Sequence, residues 1–261
     1  MNYLPTDQRA TDTNSCARNS DEDVQTVLLA GGLGTRMRCV TSSTPKPLLS
    51  VGKTSFLELL VRQLRSQGIR RLIMCTGYLA DQIEIEFGDG RRWDVAIVYS
   101  KESSPLGTAG AVKLARHHLG ECSDFLVMNA DSFLEVDFRQ LIRFHRDHGG
   151  IMSMAALRVK NASRYGTVEV DNGNRVVGFR EKTGKETEGL VNAGVYVFRD
   201  AIFEQIPEGP CSLETAVFPK LLELGVYAME QHGMFIDIGT PEDYARAQQI
   251  CDRLYQAALQ K

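Results

Sequence analysis

The apolar residues of this chain keep two rhythms, and the change comes near Gly150. Before it, short continuous apolar runs alternate with segments whose apolar positions recur every third or fourth residue. The runs TVLLA (26–30), RLIMCTGY (71–78), VAIVYS (95–100) and FLVMNA (125–130) read as strands buried on both faces. FLELLVRQLRSQG (56–68), LADQIEIEF (79–87), GTAGAVKLARHHLG (107–120) and DFRQLIRFHRDHGG (137–150) read as helices, most of them stopped by glycine. Strand alternating with helix predicts an α/β fold: a mixed, mostly parallel twisted sheet with helices on both faces.

After Gly150 strands dominate. MSMAALRV (152–159) and LVNAGVYVF (190–198) predict strands, and GTVEVDNGNRVVGFRE (166–181) alternates around Asp171-Asn172-Gly173-Asn174 as a hairpin. SLETAVFPKLLELG (212–225) predicts a helix capped by Ser212. VYAMEQHGMFIDIG (226–239) reads as a last hairpin turning at His232-Gly233. TPEDYARAQQICDRLYQAAL (240–259) predicts one closing helix, with Thr240 as cap, Pro241 in the first position and Asp243 completing a capping box. Met1 to Asp23 has almost no apolar residues. It cannot bury enough surface to offset ordering and predicts a disordered or loosely attached tail.

Composition narrows the partners. The 261 residues are 43% hydrophobic and 24% charged, which suits one large domain or a domain with a small lobe. A net charge of −3 gives no general attraction for nucleic acid or an anionic membrane, so any anion site must be local. No apolar run spans a bilayer and no signal-peptide pattern opens the chain, which predicts a cytoplasmic protein. The six cysteines, Cys16, Cys39, Cys75, Cys122, Cys211 and Cys251, form no C-x-x-C pair and read as reduced and mostly buried. His117, His118, His145 and His148 fall at the C-terminal ends of predicted helices, where imidazoles favour the dipole, and read as solvated.

The chemistry starts at Leu28–Arg38, LLAGGLGTRMR. This loop directly follows the first buried strand, where ligands bind in open parallel sheets. Clustered glycines let backbone N–H groups converge on one anion, and Arg36 and Arg38 add charge. It is not a dinucleotide fingerprint, because Met37 stands where the third Gly belongs; nor is Gly52-Lys53-Thr54 a P-loop, because Pro47 replaces its first Gly. A tight surface turn is the other reading. Lys46, between Pro45 and Pro47, is either an ammonium held by stiff backbone or a solvated turn lysine. Pro105–Gly110 opens a helix whose N-terminus favours acceptors. Asp131 ends a buried strand and Asp237 lies in a second apolar one. Each alone suits a cap or turn; together they suit Mg²⁺, which completes its shell with substrate phosphates.

LAGGLGTRM (29–37) followed by PKP (45–47) resembles the signature of sugar-1-phosphate nucleotidyltransferases. The resemblance runs from about Val24 to Gln249 and takes in PLGTAGA, RYGTVEV, REK, NAGVY and FIDIGTPEDYARAQ. Within the family it is most similar to the D-glycero-α-D-manno-heptose 1-phosphate guanylyltransferases, although Ala130 stands where a Gly often precedes the metal-binding Asp. The resemblance implies a Rossmann-like nucleotide-diphospho-sugar transferase fold in one domain, 24–261. Within it, 24–150 is the nucleotide half, 151–240 a smaller β-rich sugar half and 241–261 the C-terminal helix. No hexapeptide repeat is present, so acyltransferase activity is not expected.

The implied reaction joins GTP and a heptose 1-phosphate into GDP-heptose and pyrophosphate, feeding capsule, lipopolysaccharide or S-layer glycan synthesis. Mannose-1-phosphate guanylyl transfer, glucose-1-phosphate uridylyl or thymidylyl transfer, glycosyl transfer and a catalytically silent regulatory subunit are the rivals. The resemblance places Leu29, Ala30, Gly31 and Gly32 on base and ribose, and Gly34, Thr35 and Arg36 on the triphosphate. It places Lys46 at the reacting phosphates, and Gly107 and Thr108 on the nucleotide. Asp131 and Asp237 hold Mg²⁺. Gly166, Glu181, Lys182 and Asn192 receive the sugar phosphate. Oligomeric state stays open, with a homodimer among the readings.

Overall fold

The computed structural model describes residues 24–32, 34, 37, 43–120, 123–180 and 187–260. The expected tail, 1–23, lies outside them. β1 (Gln25–Leu29) leads to a 3-10 turn at Lys46–Leu48, then to a short antiparallel pair, β2 (Ser50–Val51) and β3 (Thr54–Ser55). Helix α1 (Phe56–Ser66) starts where the Ser55 hydroxyl accepts the Glu58 N–H. β4 (Arg71–Thr76), α2 (Ala80–Phe87), β5 (Ala96–Lys101), α3 (Gly107–Ala115) and β6 (Asp124–Asn129) continue the alternation. β7 (Ser132–Leu134) and α4 (Phe138–His148) follow. The remainder is β8 (Met152–Val159), β9 (Thr167–Val170), β10 (Val176–Arg180), β11 (Gly189–Arg199), α5 (Phe218–Leu221), β12 (Val226–Gln231), β13 (Phe235–Asp237), α6 (Pro241–Gln249) and α7 (Cys251–Ala258).

β5, β4, β1 and β6 pair in parallel, in that spatial order. The runs in β1, β4 and β6 are buried on both faces, as their continuity requires; β5, at the sheet edge, is not, and its burial alternates with Ala96 and Val98 exposed. Leu28, Leu72, Met74, Leu126 and Met128 pack towards Leu57, Leu60 and Leu64 of α1. Val27, Ile73 and Val127 pack towards Ala109, Val112 and Ala115 of α3. β11 then joins β6 antiparallel and carries β8 on its other edge, with β12 parallel to β8. The β9–β10 hairpin is attached to the first half of β11. The sheet is therefore parallel in its first half and mostly antiparallel in its second.

Several expectations change. The segment 226–239 is not a hairpin: β12 pairs with β8, while β13 pairs antiparallel with β7. Gly233 crosses Glu135 so closely that a Cβ would lie 2.2 Å from its carbonyl oxygen. Alternation reports which residues are buried but not which strand covers them. The Ser212 helix is composite: a wide π turn at Leu213–Val217, α5, then a 3-10 turn at Leu222–Leu224. Pro219 has no N–H for the carbonyl four residues back, and the turn before it widens. The closing helix breaks at Ile250, which turns α7 so that Leu254, Ala257 and Ala258 are buried. Thr240 caps the helix as expected, its hydroxyl accepting the Asp243 N–H, but the Asp243 carboxylate accepts from that same hydroxyl instead of closing the box on the Thr240 N–H.

His145 is fully buried, not solvated. It falls on the apolar stripe Phe138, Leu141, Ile142 of α4, with Nδ1 3.0 Å from Ser153 Oγ and Nε2 3.7 Å from Asp124 Oδ1. Burial alone would raise the Asp124 carboxyl, but His145 and Arg146 hold it below the usual carboxylate value. His118 and His148 are half-buried, and His117 is exposed. Of the described cysteines, Cys75 is buried, its thiol pushed up to about 12 by burial, while Cys211 and Cys251 are half-buried.

One irregularity positions the site. The register of β11 against β8 shifts between Asn192 and Tyr196. Gly194, in that bulge, has φ +76°, and a Cβ there would lie 2.8 Å from Ser132 Oγ and 2.9 Å from Asn129 Nδ2. Only glycine lets β11 pass so close to the end of β6. Gly194→Ala should cost about 1–3 kcal/mol of stability, read by urea unfolding; a loss under about 0.5 kcal/mol would show that the bulge tolerates a side chain.

Candidate active site

The parallel strands β1 and β6 end side by side, with Leu29 opposite Asn129 and the Ala130 N–H bonded to the Leu29 carbonyl at 3.2 Å. Each chain leaves the sheet here into a functional segment. Past β1, Ala30 N donates to Cys75 O at 2.9 Å, and Gly34 adopts φ +55° with Met37 buried behind it. Gly31 lies against Gly77 and Glu102, whose Oε1 would be 2.8 Å from a Cβ at Gly31. Further along, Pro45 is extended and Lys46–Leu48 make a 3-10 turn, with Leu48 N bonded to Pro45 O at 2.8 Å. This turn buries Lys46 to 8% exposure and delivers its ammonium to Asp131: Nζ and Oδ2 are 2.6 Å apart. The lysine is held, not solvated.

Past β6, Asp131 begins the short ribbon made by β7 and β13. Ser132 is paired with Asp237, and Ile238 N donates to the Asp131 carbonyl at 2.9 Å. The ribbon therefore sets two aspartates side by side at one strand end, although 106 positions separate them in the numbering from 131 to 237. Burial, then the charge of Asp131, push the Asp237 carboxyl above the usual range; Lys46 and the Gly239 N–H offset this only in part. Two crowded carboxylates and one ammonium leave a deficit of positive charge, which a hard divalent ion would fill. No group of three or more His, Cys, Asp or Glu side chains is gathered among the described residues, so such an ion would draw further oxygens from a ligand or water.

Two cavities meet at this pair. One, of about 170 Å³, is lined by Leu29, Ala30, Gly32, Gly34, Met37, Lys46, Pro47, Asp131 and Gly239. The other, about 760 Å³, takes in Asp237 and Gly239 from the same ribbon, Gly166 and Asn192, and Arg164, Tyr165 and Glu214. In the larger one, Asn192 is already oriented: its amide donates to Tyr196 OH at 2.8 Å and its oxygen accepts from Gly194 N at 3.0 Å. Arg164 is locked to the Asp243 carboxylate and to Thr240 Oγ1, joining the 160s loop to the start of α6.

Of the residues the sequence singles out, Leu29, Ala30, Gly32, Gly34, Lys46 and Asp131 line the small cavity, and Gly166, Asn192 and Asp237 the large one. Gly31 sits behind them. Thr35, Arg36, Glu181 and Lys182 lie outside the described residues. Gly107 and Thr108 line neither cavity. The N-terminus of α3 is spent internally, its Ala109 and Gly110 N–H groups on the Cys211 carbonyl at 2.9 and 3.3 Å, and Thr108 bonds to Glu214 and Leu213. Sequence reasoning missed Arg164, Asp243, Glu102 and Glu214. Arg164 stands immediately before Tyr165-Gly166, a signal that could have found it. Glu102, whose carboxyl burial pushes up while Leu106 N–H partly restrains it, carries no motif.

Comparison with known proteins agrees with this geometry. The nucleotidyl transferase family matches residues 25–253. The chain is 36% identical over 221 residues to the mannose-1-phosphate guanylyltransferase catalytic subunit beta of Drosophila pseudoobscura pseudoobscura, covering 84% of this chain and 60% of that one. Here the chain spans about 60% of the relative's length. It is 36% identical over 227 residues to the D-glycero-alpha-D-manno-heptose 1-phosphate guanylyltransferase of Aneurinibacillus thermoaerophilus, covering 86% and 97% respectively. Among solved structures, HddC from Yersinia pseudotuberculosis, complexed with GMP-PN, superposes with a TM-score of 0.78 at 33% identity, covering 87% of this chain and 98% of that one. A putative glucose-1-phosphate thymidylyltransferase from Bacillus anthracis reaches the same TM-score, 0.78, at 22% identity, covering 87% and 95%, and shares the fold.

The raised Asp237 carboxyl has a consequence for stability. A carboxyl whose folded pKa exceeds its unfolded value weakens the fold once ionised; the penalty is complete above the folded pKa and absent below the unfolded one. In metal-free buffer, Asp237→Asn should raise the unfolding midpoint near pH 7 by roughly 1–3 °C, and the gain should shrink as pH falls towards 4. An unchanged or lower midpoint near neutrality would show that Asp237 is not a strained charge.

Proposed function

The chain belongs to the nucleotidyl transferase family, and within it we propose that this protein transfers GMP from GTP to D-glycero-α-D-manno-heptose 1-phosphate, releasing pyrophosphate and forming GDP-heptose. The observation that carries this reading is the Lys46–Asp131 pair, 2.6 Å between charged atoms, in the wall of the small cavity and next to Asp237 in the wall of the larger one. A glycine-lined space on one side suits the triphosphate. A larger polar one on the other suits a sugar. The heptose reading is preferred because the relative bearing that name aligns over 97% of its own length, against 60% for the mannose one. Mannose 1-phosphate is the second reading, favoured by the identity to the mannose-specific relatives.

In this reading a phosphate oxygen of the sugar 1-phosphate attacks the α-phosphorus in line, and pyrophosphate departs. A phosphate dianion is already a nucleophile, so positioning and charge neutralisation supply nearly all of the acceleration. Leu29, Ala30, Gly31 and Gly32 receive the nucleoside, and Gly34, Thr35 and Arg36 the triphosphate. Lys46 stabilises charge at the reacting phosphorus. Gly166, Glu181, Lys182 and Asn192 seat the sugar phosphate. Asp131 and Asp237 would hold Mg²⁺, which when bound neutralises phosphate oxygens; the crowded carboxylates on the ribbon suit that ion. In this reading Gly107 and Thr108, at the start of α3, contact the nucleotide.

Pyrophosphate release, measured with each common nucleoside triphosphate against heptose, mannose and glucose 1-phosphates, should be fastest for GTP with the heptose. No release with any pair would overturn the reading. Lys46→Ala should lower kcat by about 10²–10³ while the fold is kept; near-normal turnover would remove Lys46 from the chemistry. Asp131→Asn should abolish the rise of rate with added Mg²⁺, and an unaltered metal titration would remove Asp131 from the ion.

A further inference from the structure

The wall of the larger cavity holds a carboxylate that neither the glycine signature nor the aspartate pair uses. Glu214 lies in the wide turn capped by Ser212. Its Oε2 accepts two hydroxyl hydrogen bonds, from Ser212 Oγ and Thr108 Oγ1, both 2.9 Å. Thr108 itself accepts from Leu213 N at 2.8 Å, and Cys211 O ties the same segment to α3. The side chain is thus fixed from its own turn and from the neighbouring helix. A group so held loses little freedom when a ligand arrives, and binding is stronger for it.

Its surroundings leave the carboxylate for a ligand. Arg164 and Arg180 line the same cavity, but they are paired with Asp243 and Glu169. Among the described residues Glu214 meets hydroxyls rather than a cation. An ionised carboxylate has about four acceptor sites; the two hydroxyls occupy one oxygen, and Oε1 remains. Asn192 and Gly166, expected on the sugar, line the same space.

We propose that Glu214 is a specificity-determining residue for the sugar. Oε1 accepts hydrogen bonds from neighbouring hydroxyls of a neutral polyhydroxylated sugar 1-phosphate. The same charge turns away sugars bearing a second anionic group, such as a uronic acid 1-phosphate. This rests on the reading that the larger cavity takes the sugar 1-phosphate.

The test compares wild type with Glu214→Gln in the full chain. Calorimetry gives GTP affinity, and steady-state rates give KM and kcat for the preferred sugar 1-phosphate, its monodeoxy analogues and the matching uronic acid. Glu214→Gln should raise the sugar KM about tenfold with GTP affinity within about twofold. For at least one deoxy analogue, wild type should lose kcat/KM and the variant should lose no more, because the lost partners belong to one contact. Discrimination against the uronic acid should narrow. A sugar KM within about twofold of wild type, or losses that multiply for every deoxy analogue, would overturn the proposal. If Glu214→Gln does not fold, Ser212→Ala takes its place: a raised sugar KM at constant GTP affinity supports the proposal, and an unchanged one overturns it. Absence of turnover by wild type with all sugar 1-phosphates would instead strike the parent reading.

Discussion

Two aspartates forced together at the end of a buried strand are the constraint on which this architecture turns. Burial raises the Asp237 carboxyl most, and the charge of Asp131 beside it raises it further. A protein selected for stability alone would place apolar residues there. This one keeps both carboxylates and sets Lys46 against one of them. Such crowding of carboxylates is useful where a divalent ion must be gathered with phosphates, because the incoming cation relieves it.

The scaffold around that point is tied down at several places. The β7–β13 ribbon fixes the aspartates through backbone bonds. The two prolines fix Lys46 through its turn. The glycine bulge in β11 lets the longest strand pass against Asn129 and Ser132 without a clash. Arg164 and Asp243 tie the 160s loop to α6.

The cavities divide the labour by their linings. The small one is walled by glycines and backbone, as suits a phosphate chain approached closely. The large one is walled by Arg164, Tyr165, Asn192 and Glu214, whose hydrogen-bonding groups are largely pre-set by neighbours. The α3 N-terminus, often a place for an anion, is used to anchor the 211–214 segment.

What the sequence by itself determined was local. Continuous apolar runs specified strands, and helical periodicity, caps and glycines specified the helices, because those signals depend on neighbours in the chain; that β5 would sit at the sheet edge with one face exposed was not in its apolar run. The glycine loop, Lys46, Asp131 and Asp237 were legible as candidates because their residue types are costly without a purpose. Tertiary structure decided everything that depends on distant partners. It parted β12 from β13, which alternation had joined, because pairing depends on which backbone edge each strand meets in the folded chain. It buried His145, whose place on the α4 stripe was readable but whose partner Ser153 was not. It redirected the α3 N-terminus to Cys211, and it brought Glu214 beside Thr108. No spacing in a chain encodes a contact between residues 106 positions apart from 108 to 214; only the folding of one half against the other creates it.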